Sequence, residues 1–138
     1  MKQLDLVIIL DTHTFLWYVA EPEQLGHQAV ELIEEAALTR QLFVSAVTFW
    51  EIALLQAKRK VLIPISVAQI RSRSLSGGLQ ETTIDGEVAA LAVNLRGLPS
   101  NLADRLIVAT ALQGYKLITA DPALLAWEGR LPRFDSRS

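Results

Sequence analysis

An α/β fold, a parallel sheet covered by helices on both faces, is predicted for this 138-residue chain by three observations. Its strand candidates are short continuous apolar runs and not alternating ones, as expected where both faces of a sheet are buried. These runs alternate along the chain with stretches of helical periodicity. No repeat, low-complexity tract or interdomain linker breaks the order, so residues 1–138 read as a single domain.

The elements follow in order. Residues 6–10, LVIIL, form a first strand that ends at Asp11-Thr12, and THTFLWYVA then reads as a short helix. Gln24 to Leu38 has helical periodicity through Leu25, Val30, Leu32, Ile33, Ala36 and Ala37. Residues 42–44, LFV, are a brief strand, and Ser45 is placed to cap a helix over 46–58. Ile65 to Leu75 predicts another helix, stopped by Gly77-Gly78, and LQETT at 79–83 an edge strand. Asp85 caps a helix through Leu95, and Gly97-Leu98-Pro99 makes a turn. Asn101 opens a helix to Gln113 with Gly114 at its stop, KLIT at 116–119 is a strand, and Asp121-Pro122 starts a short helix. RLPRF adds a last edge strand, with Pro132 keeping it out of the sheet interior.

Composition narrows the class of protein. Hydrophobic residues make up 51% and charged residues 20%, the profile of a compact globular chain. The absence of cysteine removes thiolate metal sites and disulfides and agrees with a reducing, cytoplasmic setting. No apolar run approaches the roughly 18 residues that cross a bilayer, so no membrane partner is expected. Asp5 interrupts the N-terminal apolar run and no small-residue cleavage site follows, which argues against a signal peptide. A net charge of −2 disfavours a nucleic-acid binder held by bulk electrostatics. If four of the 15 acidic residues serve to hold cations, the remaining 11 against 13 Lys and Arg leave a slightly basic chain.

Four acids carry the chemistry, and each also has a structural explanation. Asp11, between a strand and a helix, suits an N-cap. Asp121, ahead of a proline at a helix start, suits the same role. Asp104 falls at the third helical position after Asn101, where an acid can reach back to the cap amide and favours the helix dipole. Glu51 is different. It shares a helix face with Val47, Leu54 and Leu55, and the nearest downstream cation on that face, Lys58, is seven residues away. The helix is hydrophobic nearly all round, as for a buried element.

Geometry joins the four. In an open parallel sheet the C-terminal ends of the strands share one edge, and ligands bind in the crevice there. Asp11 and Asp121 lie in strand-to-helix turns at that edge, Asp104 in the first turn of a helix, and Glu51 two turns beyond its own strand. Carboxylates converging there would repel one another and raise at least one pKa unless cations were present. Hard divalent ions such as Mg²⁺, held by oxygen ligands, remove that cost, and two would balance four carboxylates. On this reading Glu51 is tolerated inside because it faces a metal.

The segments LDTHTFLW, SAVTFWEIAL, ADRLIVATAL and LITAD, in this order and at these separations, resemble the PIN-domain ribonucleases, and among them the VapC-type toxins of bacterial toxin–antitoxin pairs. The likeness spans nearly the whole chain, and the four segments are specific together although each is weak alone. It implies a three-layer α/β/α sandwich on a short, mostly parallel central sheet, and an endoribonuclease dependent on Mg²⁺ or Mn²⁺. It further implies a cognate antitoxin, RNA as substrate and a homodimer. The acidic constellation of the family falls on Asp11, Glu51, Asp104 and Asp121, and Thr119 matches a hydroxyl position near the metal. Arg105, beside Asp104, is a possible supporting residue. One departure is Asn101, where relatives often carry a further aspartate; asparagine still caps the helix or ligates weakly through its carbonyl. The mechanism such a site supports is metal-assisted hydrolysis, with no serine, cysteine or histidine nucleophile.

Other residues have plainer readings. His13 could touch substrate, but a lone histidine near a helix start is more often structural. Trp17, Tyr18 and Trp50 could stack bases, although aromatics beside apolar runs are usually core or interface. The basic run at 58–60 suits a helix C-terminus, and Arg71, Arg73, Arg130 and Arg133 are candidates for backbone phosphate contacts. Two rival functions remain open. A phosphatase with an aspartyl nucleophile needs a second aspartate where this chain has His13. A non-catalytic domain binding RNA or protein would gain nothing from clustered negative charge.

Overall fold

A computed structural model describes residues 7–138. Five parallel strands lie in the spatial order β3-β2-β1-β4-β5. They are β1 (Ile8–Leu10), β2 (Leu42–Ser45), β3 (Gln80–Thr82), β4 (Lys116–Thr119) and β5 (Arg133–Asp135). The helices are α1 (Thr12–Ala20), α2 (His27–Leu38), α3 (Ala46–Ala57), α4 (Val67–Ser76), α5 (Gly86–Val93), α6 (Leu102–Ala111) and α7 (Pro122–Ala126), with a 3₁₀ turn at Pro22–Gln24. Among the described residues no helix is long and apolar enough to cross a membrane. Leu6, placed in the first strand by its sequence, lies outside the described residues.

The period-2 alternation of the strands sorts their side chains into two cores, which makes the fold an α/β/α sandwich. Ile9 of β1 and Leu117 of β4 pack with Leu106, Ile107 and Val88 from α6 and α5. Ile8 and Leu10 of β1 and Ile118 of β4 face the other way, onto Phe15, Leu16, Ile33 and Ile70 from α1, α2 and α4. Both faces of β1 and β4 are thus covered, which is why their sequences are continuous apolar runs.

Caps set the helix starts. Ser45 accepts from the Val47 amide at 3.1 Å and Asp85 from the Val88 amide at 2.9 Å, while Ser66 and Gln69 form a reciprocal capping box. That box starts α4 at Val67, two residues later than the periodicity predicts. Helix α2 also begins late, at His27 and not Gln24. Its cap is Gly26, which has no side chain to offer, and the C-terminal segment takes over the task. The Ser136 carbonyl accepts from the Gly26 amide at 2.9 Å, and the Ser138 carbonyl accepts from the Ala29 amide at 3.0 Å. A Cβ on Gly26 would stand 2.1 Å from the Ser138 backbone, so only glycine admits this approach. Helices α5 and α6 stop two residues short of their sequence limits, at Val93 and Ala111, and β5 runs over Arg133–Asp135 instead of 130–134.

The loop between α5 and α6 hangs on one side chain. Arg105 donates to the carbonyls of Pro99, Ala92, Leu95 and Leu98 at 2.9–3.0 Å, satisfying one carbonyl in the last turn of α5 and three in the loop that follows. Arg105→Ala is expected to lower unfolding stability by about 2–3 kcal/mol, because charged hydrogen bonds to half-buried carbonyls are lost together. Lysine should recover only part of this, lacking the planar fork. The denaturant midpoint reports it, and an unchanged midpoint in Arg105→Ala would refute the role.

Candidate active site

The strand order reverses direction between β1 and β4: the chain builds outward through β2 and β3 on one side, then returns to β4 and β5 on the other. A crevice opens at the C-terminal ends of strands at such a switch point. Here Leu10 of β1 pairs with Ile118 of β4, so the residues that follow, Asp11 and Thr119, emerge side by side. Asp11, Glu51, Asp104 and Asp121 all line one cavity of about 480 Å³ at this edge, together with His13, Trp17, Asn101 and Arg137.

Asp11 is the most deeply set, with 5% exposure. It caps α1 by accepting from the Thr14 amide at 3.0 Å, and its other oxygen accepts from the Thr119 hydroxyl. Burial raises its pKa, while the bonds from Thr119 and Thr14 pull the other way by favouring the charged form. The Thr119 oxygen in turn accepts from the Asp121 amide at 3.0 Å. One fully buried hydroxyl therefore ties the carboxylate after β1 to the backbone after β4. Asp121 caps α7 through one oxygen, accepting from the Ala123 amide at 2.8 Å.

Asn101 caps α6 by accepting from the Asp104 amide at 2.8 Å. The Asp104 carboxyl makes no reciprocal bond, in contrast to the Ser66–Gln69 box, so capping does not occupy it. Its pKa is raised to about 7, first by burial and then by the charges of Asp121, Asp11 and Glu51. The four acids thus sense one another. Even so, among the described residues no three His, Cys, Asp or Glu side chains are gathered tightly enough to hold a metal ion as they stand. The two facts agree, because Coulomb repulsion between charges reaches several ångströms while ligation requires oxygens at about 2 Å from the ion. The arrangement is a convergent but open set of oxygen donors, with no thiolate, of the chemical kind that suits a hard divalent cation.

Several expectations change. Glu51 is half-buried, not buried, and α3 is not apolar inside all round: Val47, Phe49 and Ile52 are covered, but Trp50 is 49% exposed and Leu54 38%. Arg105 stands next to Asp104 in sequence and away from the cavity in space, because the carbonyls of the preceding loop claim its guanidinium. Of the arginines weighed as phosphate contacts, Arg71 is paired with Glu81 through two 2.8 Å bonds, and Arg133 donates to the Trp127 carbonyl. Trp17 packs on the core and also lines the cavity, edge-on to His13.

The cation that does reach the cavity is Arg137, which sequence reasoning passed over. Its signal was available: a parallel last strand delivers the residues after it to the same edge as Asp11 and Asp121. Ending that strand at residue 134 obscured this.

Comparison with known proteins agrees with this architecture. The PIN domain family model matches residues 8–126. Ribonuclease VapC22 of Mycobacterium tuberculosis is 35% identical over 119 residues, covering 85% of this chain and 88% of that protein. Two solved structures share the fold at lower identity. VapBC2 from Rickettsia felis, bound to a DNA fragment from its promoter, superposes with a TM-score of 0.68 at 14% identity, over 94% of this chain and 98% of that one. FitAcB from Neisseria gonorrhoeae gives 0.61 at 21% identity, with the same coverage of 94% and 98%. The chain belongs to the PIN-domain family, in its VapC-type branch.

Proposed function

We propose that this protein is an endoribonuclease dependent on Mg²⁺ or Mn²⁺, acting as the toxin of a toxin–antitoxin pair. The observation that carries the reading is the convergence of four carboxylates, delivered by four separate segments, on one cavity at the switch point, where their repulsion and burial push Asp104 up to about 7. Asp11, Glu51, Asp104 and Asp121 are the residues that would hold the cation and carry catalysis, with Thr119 and Asn101 supporting them. When bound, a divalent ion supplies an activated water near neutral pH and offsets charge on the attacked phosphate.

The remaining work falls to the protein's own groups. The Thr119 hydroxyl and Thr14 amide hold the two oxygens of Asp11 in place, and the Thr119 oxygen fixes the turn that presents Asp121. Asn101 orders the first turn of α6 and leaves the Asp104 carboxyl free to hold a proton near neutrality or to give it up to a cation. An aspartyl-nucleophile phosphatase would need a second aspartate two residues after Asp11, where this chain has His13. RNA as substrate is supported by the VapC22 ribonuclease, and a cognate antitoxin by solved neighbours that are toxin–antitoxin complexes. A single domain, a homodimer and a cytoplasmic location complete the proposal.

Incubation of purified protein with labelled RNAs, with Mg²⁺, Mn²⁺ or a chelator, is the direct test; cleavage that is indifferent to the chelator would refute metal dependence. Asp11→Asn and Glu51→Gln are each expected to abolish cleavage while circular dichroism stays unchanged, and full activity in either would overturn its assignment.

Asp104 also makes a stability prediction for the metal-free protein. Its folded pKa of about 7 exceeds the ordinary 3.8. Below the lower value both states carry the proton and the group costs nothing. Between the two values the unfolded chain ionises while the folded one does not, so folding stability falls as pH rises, levelling off above 7. Asp104→Asn, which does not ionise, should therefore gain on the wild type across that interval. Saturating Mn²⁺ at neutral pH should raise the wild-type melting temperature and leave that of the variant less affected. A stability difference that stays flat with pH would count against the repulsion.

A further inference from the structure

The acidic cavity contains an unexplained cation. Arg137 lines it from the segment after β5, and among the described residues its guanidinium makes no ion pair with any of the four acids around it. Among the described residues its one hydrogen bond is to a neutral group, the Ala120 carbonyl at 2.8 Å, in the residue between Thr119 and Asp121. A guanidinium has five N–H donors in a planar fork, so this bond fixes the head and leaves the rest of the fork available.

The backbone beneath Arg137 is held on both sides, and Ser136 beside it is fully buried. The Arg137 amide donates to the Asp135 side chain at 2.9 Å. On one side, Ser136 donates to the Thr119 carbonyl and accepts from Gly26, both at 2.9 Å. On the other, Ser138 donates to Asp135 and accepts from Ala29, both at 3.0 Å. Both neighbours are therefore docked on the N-terminus of α2, at the approach that only glycine at position 26 permits. An exposed arginine with five hydrogen bonds along its backbone and one at its head loses little further freedom on meeting a ligand.

We propose that Arg137 is a positioning residue that docks a backbone phosphate of the RNA at the wall of the acidic cavity. The inference rests on the ribonuclease reading above. A cleft of four carboxylates repels a polyanion, and a cation at its wall gives the approaching strand one attractive contact beside the reacting position. Guanidinium matches phosphate geometry bidentately, and among the described residues no carboxylate engages it in place of that match. The alternative is that Arg137 merely tethers the C-terminal segment to Ala120.

Steady-state cleavage of a labelled single-stranded RNA with Mn²⁺ separates these. For Arg137→Ala, KM is expected to rise about tenfold, the scale of one charge-assisted contact, with kcat changed much less and the melting temperature unmoved. Arg137→Lys should recover part of the loss, since it keeps charge without the fork. In a Glu51→Gln background, where RNA is bound and not cut, anisotropy across a salt series should show the slope of log K against log salt reduced by about 0.7 in Arg137→Ala, the value for one phosphate contact to a single strand. Gly26→Ala, which displaces the docked C-terminal segment and touches no cavity residue, should reproduce the KM rise. Unchanged KM and unchanged salt slope in Arg137→Ala would overturn the proposal, as would a lowered melting temperature with kcat reduced and KM unchanged, which marks a tether. Wild-type protein that neither binds nor cuts RNA would defeat the ribonuclease reading itself, a result distinct from an Arg137 variant that behaves like an active wild type.

Discussion

Pairing of β1 with β4 in parallel register is the constraint on which the site depends. It sets Leu10 against Ile118, so that the next residue on each strand leaves the sheet at one edge, and there the buried Thr119 hydroxyl donates to Asp11 and accepts from the Asp121 amide. A buried hydroxyl must find partners, and here both partners belong to the acidic constellation. The two acids are separated by 110 positions in sequence, from 11 to 121, yet are fixed relative to each other through one oxygen atom. The remaining two enter from helices packed against these strands, Glu51 from α3 and Asp104 from α6.

Structural and chemical roles overlap in this site. Asp11 and Asp121 each cap a helix with one oxygen and still line the cavity, and Asn101 caps α6 while doing the same. Capping holds such carboxylates in a single orientation, which is the preorganisation a functional site needs. Asp104 is the exception: the cap on its helix is made by Asn101, so its carboxyl is left to burial and to the charges around it, and it is the group whose pKa moves to about 7. A site of this kind lowers stability in the metal-free protein, and the two apolar cores on either side of the sheet supply the stability that it draws on.

The places where sequence reading and structure part company share a cause. Helix α2 starts at His27 because the C-terminal segment, more than a hundred residues later, supplies the acceptors at its N-terminus. Arg105 leaves the acidic residue beside it because four carbonyls converge where its guanidinium can reach them. Helix α3 keeps an exposed Trp50–Leu54 side although its composition is mostly apolar. Each outcome is decided by where packed or folded-back backbone lies in space, and helical or strand periodicity carries no information about that.

Local pattern by itself determined the element order, the parallel sheet with two covered faces, the capping residues Ser45, Asp85 and Asn101, and the family to which the four acidic segments point. It did so because backbone propensity, capping and apolar periodicity act over one or two turns. Only the tertiary structure decided how open the acidic cavity is, that Thr119 ties its two halves together, and that Arg137 is the cation brought to its wall. Those features depend on strand order and on the docking of the chain's end against α2, which are contacts between residues far apart in sequence, and no pattern within a short window records them.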